Sequence, residues 1–161
     1  SIWACLIEQG QSGCDQLWLE NFPTRAAFMR RFAQVVDEAL VEGKRLLAGF
    51  DFAFGYPAGT AERAADSADW QSLWRAIARD IRDDEDNANN RFEMAAQWNR
   101  DYFADSARFW GAPQTLVLDG LTATKPLAPT SQPLAFRVSE RHATGSKSAW
   151  QLAYALSLIH N

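Results

Sequence analysis

The sequence predicts an α/β domain built on a small sheet. Three observations carry this expectation. Two short apolar runs are separated by turn chemistry, an amphipathic stretch begins at a capping residue and ends at a glycine, and a longer apolar run is interrupted by one charge. The resulting order of strand, strand, helix, strand belongs to α/β and α+β domains. The 161 residues fit a single domain, 1–161. A chain of this size buries about two-thirds of its unfolded surface, so no disulfide or metal staple is required.

Ile2 to Ile7 is a short apolar run of strand type, and Leu17 to Leu19 is a second. Gln9 to Gly13 between them is turn chemistry, which makes the pair an antiparallel hairpin. Pro23 and Thr24 open a helix with Thr24 as N-cap, and Phe28, Phe32, Val35, Val36 and Leu40 share one face of it. Gly43 is placed to end that helix in the left-handed conformation. Leu46 to Phe54 is apolar on both faces, as a central strand covered on both sides requires, with Asp51 as its one charge. The turn Gly55-Tyr56-Pro57-Ala58-Gly59 then breaks the chain.

From Ala61 to Asp105 the pattern is helical. Trp70, Leu73, Trp74, Ile77 and Ile81 form one stripe, with Asp69 or Ser67 to cap it. A second helix begins near Arg91, with Phe92, Ala95, Ala96 and Asn99 inward. Thr115 to Leu118 and Phe136 to Val138 read as extended, Thr124 to Pro133 as a loop with three prolines, and Ala149 to Ile159 as a helix.

Seven Trp and ten Phe point to a core rich in rings or to an aromatic groove. The net charge of −4 argues against broad, non-specific nucleic-acid binding, which needs a basic face. It leaves room for a metal-dependent enzyme acting on phosphates, since a metal supplies positive charge locally. Cys5 and Cys14 are too few for a disulfide scaffold and match no zinc spacing. Cys5 is expected to be a buried small hydrophobe, and a reduced, cytoplasmic setting follows. No apolar run spans a membrane, and no signal-peptide pattern is visible.

Asp51 is the sharpest chemical signal. A carboxylate within a buried strand is costly unless it is paired or coordinated, and strand ends are where α/β sites assemble. It is a candidate metal ligand or base; the competing role is acceptance of backbone N–H bonds from the turn that follows. Asp80, Asp83, Asp84, Glu85 and Asp86 lack calcium-loop spacing and read as a solvated helix end. Asn89, Asn90 and Arg91 at a helix start have the chemistry to grip a phosphate or carboxylate, and also the chemistry of a cap. Arg137, Glu140, Arg141, His142 and Lys147 form a stretch of formal charge +2, from three cations and Glu140. It serves as an anion-binding loop with Glu140 as a second metal carboxylate, or as an exposed loop with an Arg–Glu pair. The nucleophile elbow, the P-loop and the dinucleotide fingerprint are all absent.

The stretch from Leu47 to Gly59 resembles the strand-and-turn signature of an uncharacterised bacterial family. That family is similar to predicted nucleases with a ribonuclease H-like fold. Ser1-Ile2-Trp3-Ala4-Cys5, Asn89-Asn90-Arg91-Phe92 and Lys147-Ser148-Ala149-Trp150-Gln151-Leu152 fit the same pattern. Some relatives bear names that link them to molybdopterin guanine dinucleotide synthesis. The resemblance implies a mixed sheet flanked by helices. It also implies two metal ions held by carboxylates from the first strand, the fourth strand and a late helix. Asp51 would lie on the fourth strand, and Ile2–Ile7 and Leu17–Leu19 would be strands two and three. The family's first strand carries an Asp that precedes Ser1, and its pattern beyond Leu152 differs from Leu156 to His160. The domain is therefore expected to be incomplete at both ends, with the first strand missing.

The resulting expectation is a divalent-metal-dependent, nuclease-like phosphodiesterase. Asp51 would hold Mg²⁺ or Mn²⁺, Glu140 would assist, and Asn89, Asn90, Arg91, Arg137 and Lys147 would bind substrate, a phosphate-containing small molecule or nucleic acid. The alternatives are a nucleotide- or pterin-binding module related to the molybdenum cofactor, and a non-catalytic interaction protein.

Overall fold

A computed structural model describes residues 2–9, 15–51, 55–105 and 107–152. It combines a two-stranded antiparallel sheet with five helices among the described residues, so the chain is of mixed α/β type. Two compact units are present: one is drawn from Ser1–Phe50 and Asp83–Asn89, the other from Asp51–Arg82 and Asn90–Asn161.

In the first unit, β1 (Ile2–Gln9) pairs with β2 (Asp15–Phe22) in a register that sets Ile2 opposite Phe22 and Ile7 opposite Leu17. The hairpin expected from the sequence is present; residues 10–14 of its turn lie outside the described residues. Helix α1 (Arg25–Val41) starts at Thr24, whose hydroxyl accepts from Ala27 N at 3.1 Å. It stops at Gly43, which adopts φ +65°, a conformation that costs glycine little. Phe28 and Phe32 stack at 5.9 Å, and Phe22 and Phe50 meet them edge-on at 5.5–6.3 Å. This four-ring cluster joins hairpin, helix and the chain after the helix. The segment 83–89 docks on the start of α1: Asn87 Oδ1 accepts from Arg25 N at 2.8 Å, and Asp83 takes the Arg25 guanidinium.

Two expectations fail here. Leu46 to Phe54 is not a central strand: residues 44–50 have no regular structure, Asp51 sits in a bend and is exposed, and 52–54 lie outside the described residues. A strand exists only where a neighbour completes its hydrogen-bond ladder, and no described segment pairs with 46–50. The mixed sheet that this strand would have created is accordingly not among the described residues. Cys5 is exposed rather than buried, because the pleat sends it to the face of Trp3 and Ile7, and that face is open. Cys14 lies outside the described residues.

The second unit holds the larger core. Helices α2 (Thr60–Ala65), α3 (Trp70–Asp80) and α4 (Arg91–Asp101) precede a long irregular stretch and the short helix α5 (Val138–His142). Asp69 caps α3 by accepting from Gln71 N and Ser72 N. Leu73 and Ala76 of α3 are buried, as are Ala95, Ala96, Trp98 and Asn99 of α4. The rings of Trp98, Phe103, Phe109 and Trp150 complete this core, so the aromatic richness serves packing here. Thr115–Leu118 and Phe136–Val138 are not strands; Leu118 makes only an isolated bridge to Leu121, and Val138 opens α5. The described part of Ala149–Ile159 is a turn and a bridge, not a helix, and 153–161 lie outside the described residues. Among the described residues no helix is long and apolar enough to cross a membrane.

Candidate functional site

The second unit brings together several stretches that the sequence singles out. Tyr56, from the turn after Asp51, packs its ring on Trp150 at 4.9 Å and against Phe109 at 5.7 Å. Phe92 and Leu152 border the same core. Gly59 closes the turn at φ +88°, and a Cβ there would come within 3.0 Å of Gln132 Cβ. Glycine is thus required twice over, by conformation and by contact. The chain around Pro133 is fastened in turn to the Trp150 segment. Trp150 Nε1 donates to Leu134 O at 2.9 Å, and Ser148 Oγ donates to Ala135 O at 2.6 Å.

Beside this base lies an ion pair. Glu140 is buried, and its carboxylate accepts from Arg137 N at 2.7 Å, Arg137 Nε at 2.9 Å and Ala149 N at 3.1 Å. A buried carboxylate with three donors is compensated. The consequence falls on Arg137. Its main chain and Nε are both anchored, while Nη1 and Nη2 make no hydrogen bond among the described residues. Its side chain as a whole is 28% exposed. The charge of Arg137 also reaches Tyr56. Burial pushes the Tyr56 phenol above its ordinary pKa, and the guanidinium opposes that shift.

The other candidates are distributed differently. Asp51 is exposed and has no hydrogen-bond or ion-pair partner among the described residues. Asn90 acts as a clip: its Oδ1 accepts from Arg82 N at 2.6 Å and its Nδ2 donates to Asp80 O at 2.9 Å, tying the end of α3 to the start of α4. Arg91 sits 4.4 Å over the Phe92 ring. Lys147 is exposed. Asn89 belongs to the first unit, where its Nδ2 donates to Asn87 O at 3.2 Å. The acidic run is only partly solvated. Asp83 pairs with Arg25, and Asp80 accepts from Trp98 Nε1 at 2.9 Å and is held by Arg79. These partners hold both carboxyls below the usual range, through hydrogen bonds from Arg79 to Asp80 and from Arg25 to Asp83.

Tyr56, which the sequence marks only as part of the turn after Asp51, is the ring of that turn that joins the aromatic core. Comparisons with family models, curated proteins and solved structures give no match to this chain.

Proposed function

We propose that this chain is a phosphate-ester-binding domain of the nuclease-like, ribonuclease H-like kind, with Arg137 as the residue that receives the phosphate. One observation carries the reading: Glu140 holds Arg137 through Nε and the main-chain N–H, and among the described residues the terminal fork makes no hydrogen bond. A guanidinium fixed in advance loses little entropy on binding and matches two oxygens of a phosphate. Arg141 and Lys147 add positive charge to the same stretch of chain.

The ribonuclease H-like reading also asks for Mg²⁺ or Mn²⁺. Among the described residues no group of three or more His, Cys, Asp or Glu side chains is arranged to hold a metal ion. Glu140 already has three donors on its oxygens, which leaves Asp51 as a lone exposed carboxylate. Among the described residues this donor set does not fit a two-ion centre. The shortfall favours the second reading, a nucleotide- or pterin-binding module without turnover, since that role needs the fork and no metal.

Thermal unfolding in the presence of inorganic phosphate tests the proposal. Binding to the folded state raises Tm by mass action. The wild type is expected to show a concentration-dependent rise, and Arg137→Lys, which keeps the charge and loses the fork, at most a small one. An equal rise in both proteins removes Arg137 from the site. Hydrolysis of a chromogenic phosphodiester with millimolar Mn²⁺, lost in Asp51→Asn, would restore the catalytic reading.

A further inference from the structure

We infer that the open face of the β1–β2 hairpin is a self-association surface, and that its occupant is the same face of a second copy of this chain. The inference concerns the first unit and does not depend on the phosphate-binding reading. The register sets Trp3 beside Asn21, Cys5 beside Leu19 and Ile7 beside Leu17 on one face. Trp3, Ile7, Leu17 and Leu19 are 60–66% exposed there, and Cys5 is exposed as well. The opposite face holds Phe22, which packs on Phe28 of α1, and also Glu8 and Glu20, which pair with Lys44 and Arg31. An antiparallel sheet with one solvated face ordinarily turns its apolar residues inward and its polar residues outward. This hairpin does the reverse. Its charges lie on the helix side, and from Trp3 to Ile7 and from Leu17 to Asn21 the outward face carries none.

Size and charge choose the occupant. The exposed side chains leave roughly 500 Å² of apolar surface on each copy, at the upper end of what a monomer shows. Two copies stacked face to face remove about 1,000 Å² from water, the lower limit for a specific interface. In a two-fold contact every residue meets one from its own set. A charge on this face would be set near its like, and these positions carry none, so the net charge of −4 is kept away from the contact. Two hairpins of identical twist also stack in the aligned manner of a sheet sandwich, about 10 Å apart. An interface of this size supports a weak dimer, so the dilute chain is a monomer with the face open.

Sedimentation velocity of the whole chain from about 5 µM to about 1 mM, together with thiol cross-linking, tests the inference. The wild type is expected to pass from monomer to dimer with half-association at roughly 100 µM. Leu17→Lys sets like charges across the two-fold axis and is expected to stay monomeric throughout. Cys14→Ser leaves Cys5 as the single thiol. In that variant a bismaleimide about 10 Å long should join two chains at high concentration, the spacing of stacked sheets, and a simple maleimide should label Cys5 readily at low concentration. This arm changes nothing on the face, so it decides the matter even where Leu17→Lys does not fold. A wild type that stays monomeric at about 1 mM overturns the inference. So does a dimer that persists in Leu17→Lys or resists cross-linking at Cys5, because another surface then joins the copies. If Cys5 of the dilute, folded chain resists maleimide, the chain's own residues cover the face, and the inference falls.

Discussion

Asn99 shows how one polar side chain organises the larger unit. It is buried, its Oδ1 accepts from Arg108 N and Phe109 N at 2.9 Å, and its Nδ2 donates to Phe109 O at 2.8 Å and Gly120 O at 2.7 Å. The amide thus satisfies four backbone groups of an irregular stretch that has no ladder of its own. Asn99→Leu keeps the volume and leaves those four groups without partners. At about 1–3 kcal/mol for each unsatisfied buried group, partly recovered by water, the loss is expected to be on the order of 4 kcal/mol. A stability loss of less than about 1 kcal/mol in urea unfolding would show that the stretch does not depend on Asn99. The sequence placed Asn99 on the inner face of its helix. Its four partners are not visible there, because they lie nine to twenty-one positions away. Glu140 is a similar case: its charge and its neighbour Arg137 were visible, but Ala149 N was not, and that third donor makes the carboxylate a clamp.

Elements whose signals are local were legible. The Thr24 cap, the Gly43 stop, the Asp69 cap and the start of α4 at Arg91 all follow from chemistry within one turn. Leu46 to Phe54 was not, because an apolar run states only that a segment has no water-facing side; whether it becomes a strand depends on a distant partner. The hairpin has the same dependence at its open face. Trp3, Ile7, Leu17 and Leu19 are each 60–66% exposed, and the register sets Ile7 opposite Leu17 and Cys5 opposite Leu19. Leu17→Lys therefore removes little burial and is expected to change stability by less than about 1 kcal/mol. The same change should reduce binding of an apolar fluorescent dye, because it interrupts the patch. A stability loss of several kcal/mol in urea unfolding would mean that the face is covered in solution.

Across the whole molecule, burial is uneven: α1 has no buried residue, whereas α4 has five. The irregular stretches of the larger unit are secured by charged clasps instead of ladders, and this couples stability to acid. Asp105 accepts from Arg63 Nη1 at 2.6 Å and Ser131 Oγ at 3.1 Å, and lies 3.6 Å from Arg108 Nη2. The hydrogen bond from Arg63, above all, lowers its pKa to about 2. In an unfolded chain an aspartate titrates near about 3.9. A carboxyl whose folded pKa is depressed adds stability that is fully present above the unfolded value and is lost as pH falls through the folded one. Asp83, depressed by Arg25, acts in the same direction in the smaller unit. The clasp of Asp105 is partly open to water, so its contribution is screened and modest. Its pH signature is nonetheless distinct. Asp105→Asn should be less stable than wild type at pH 6, and the difference should shrink below pH 4 and vanish near pH 2. Urea midpoints of both proteins across that range measure it. A difference that is constant with pH would mean that Asp105 contributes through its shape and neutral hydrogen bonds, and that the charge on its carboxylate does not hold the 131–133 region to α2.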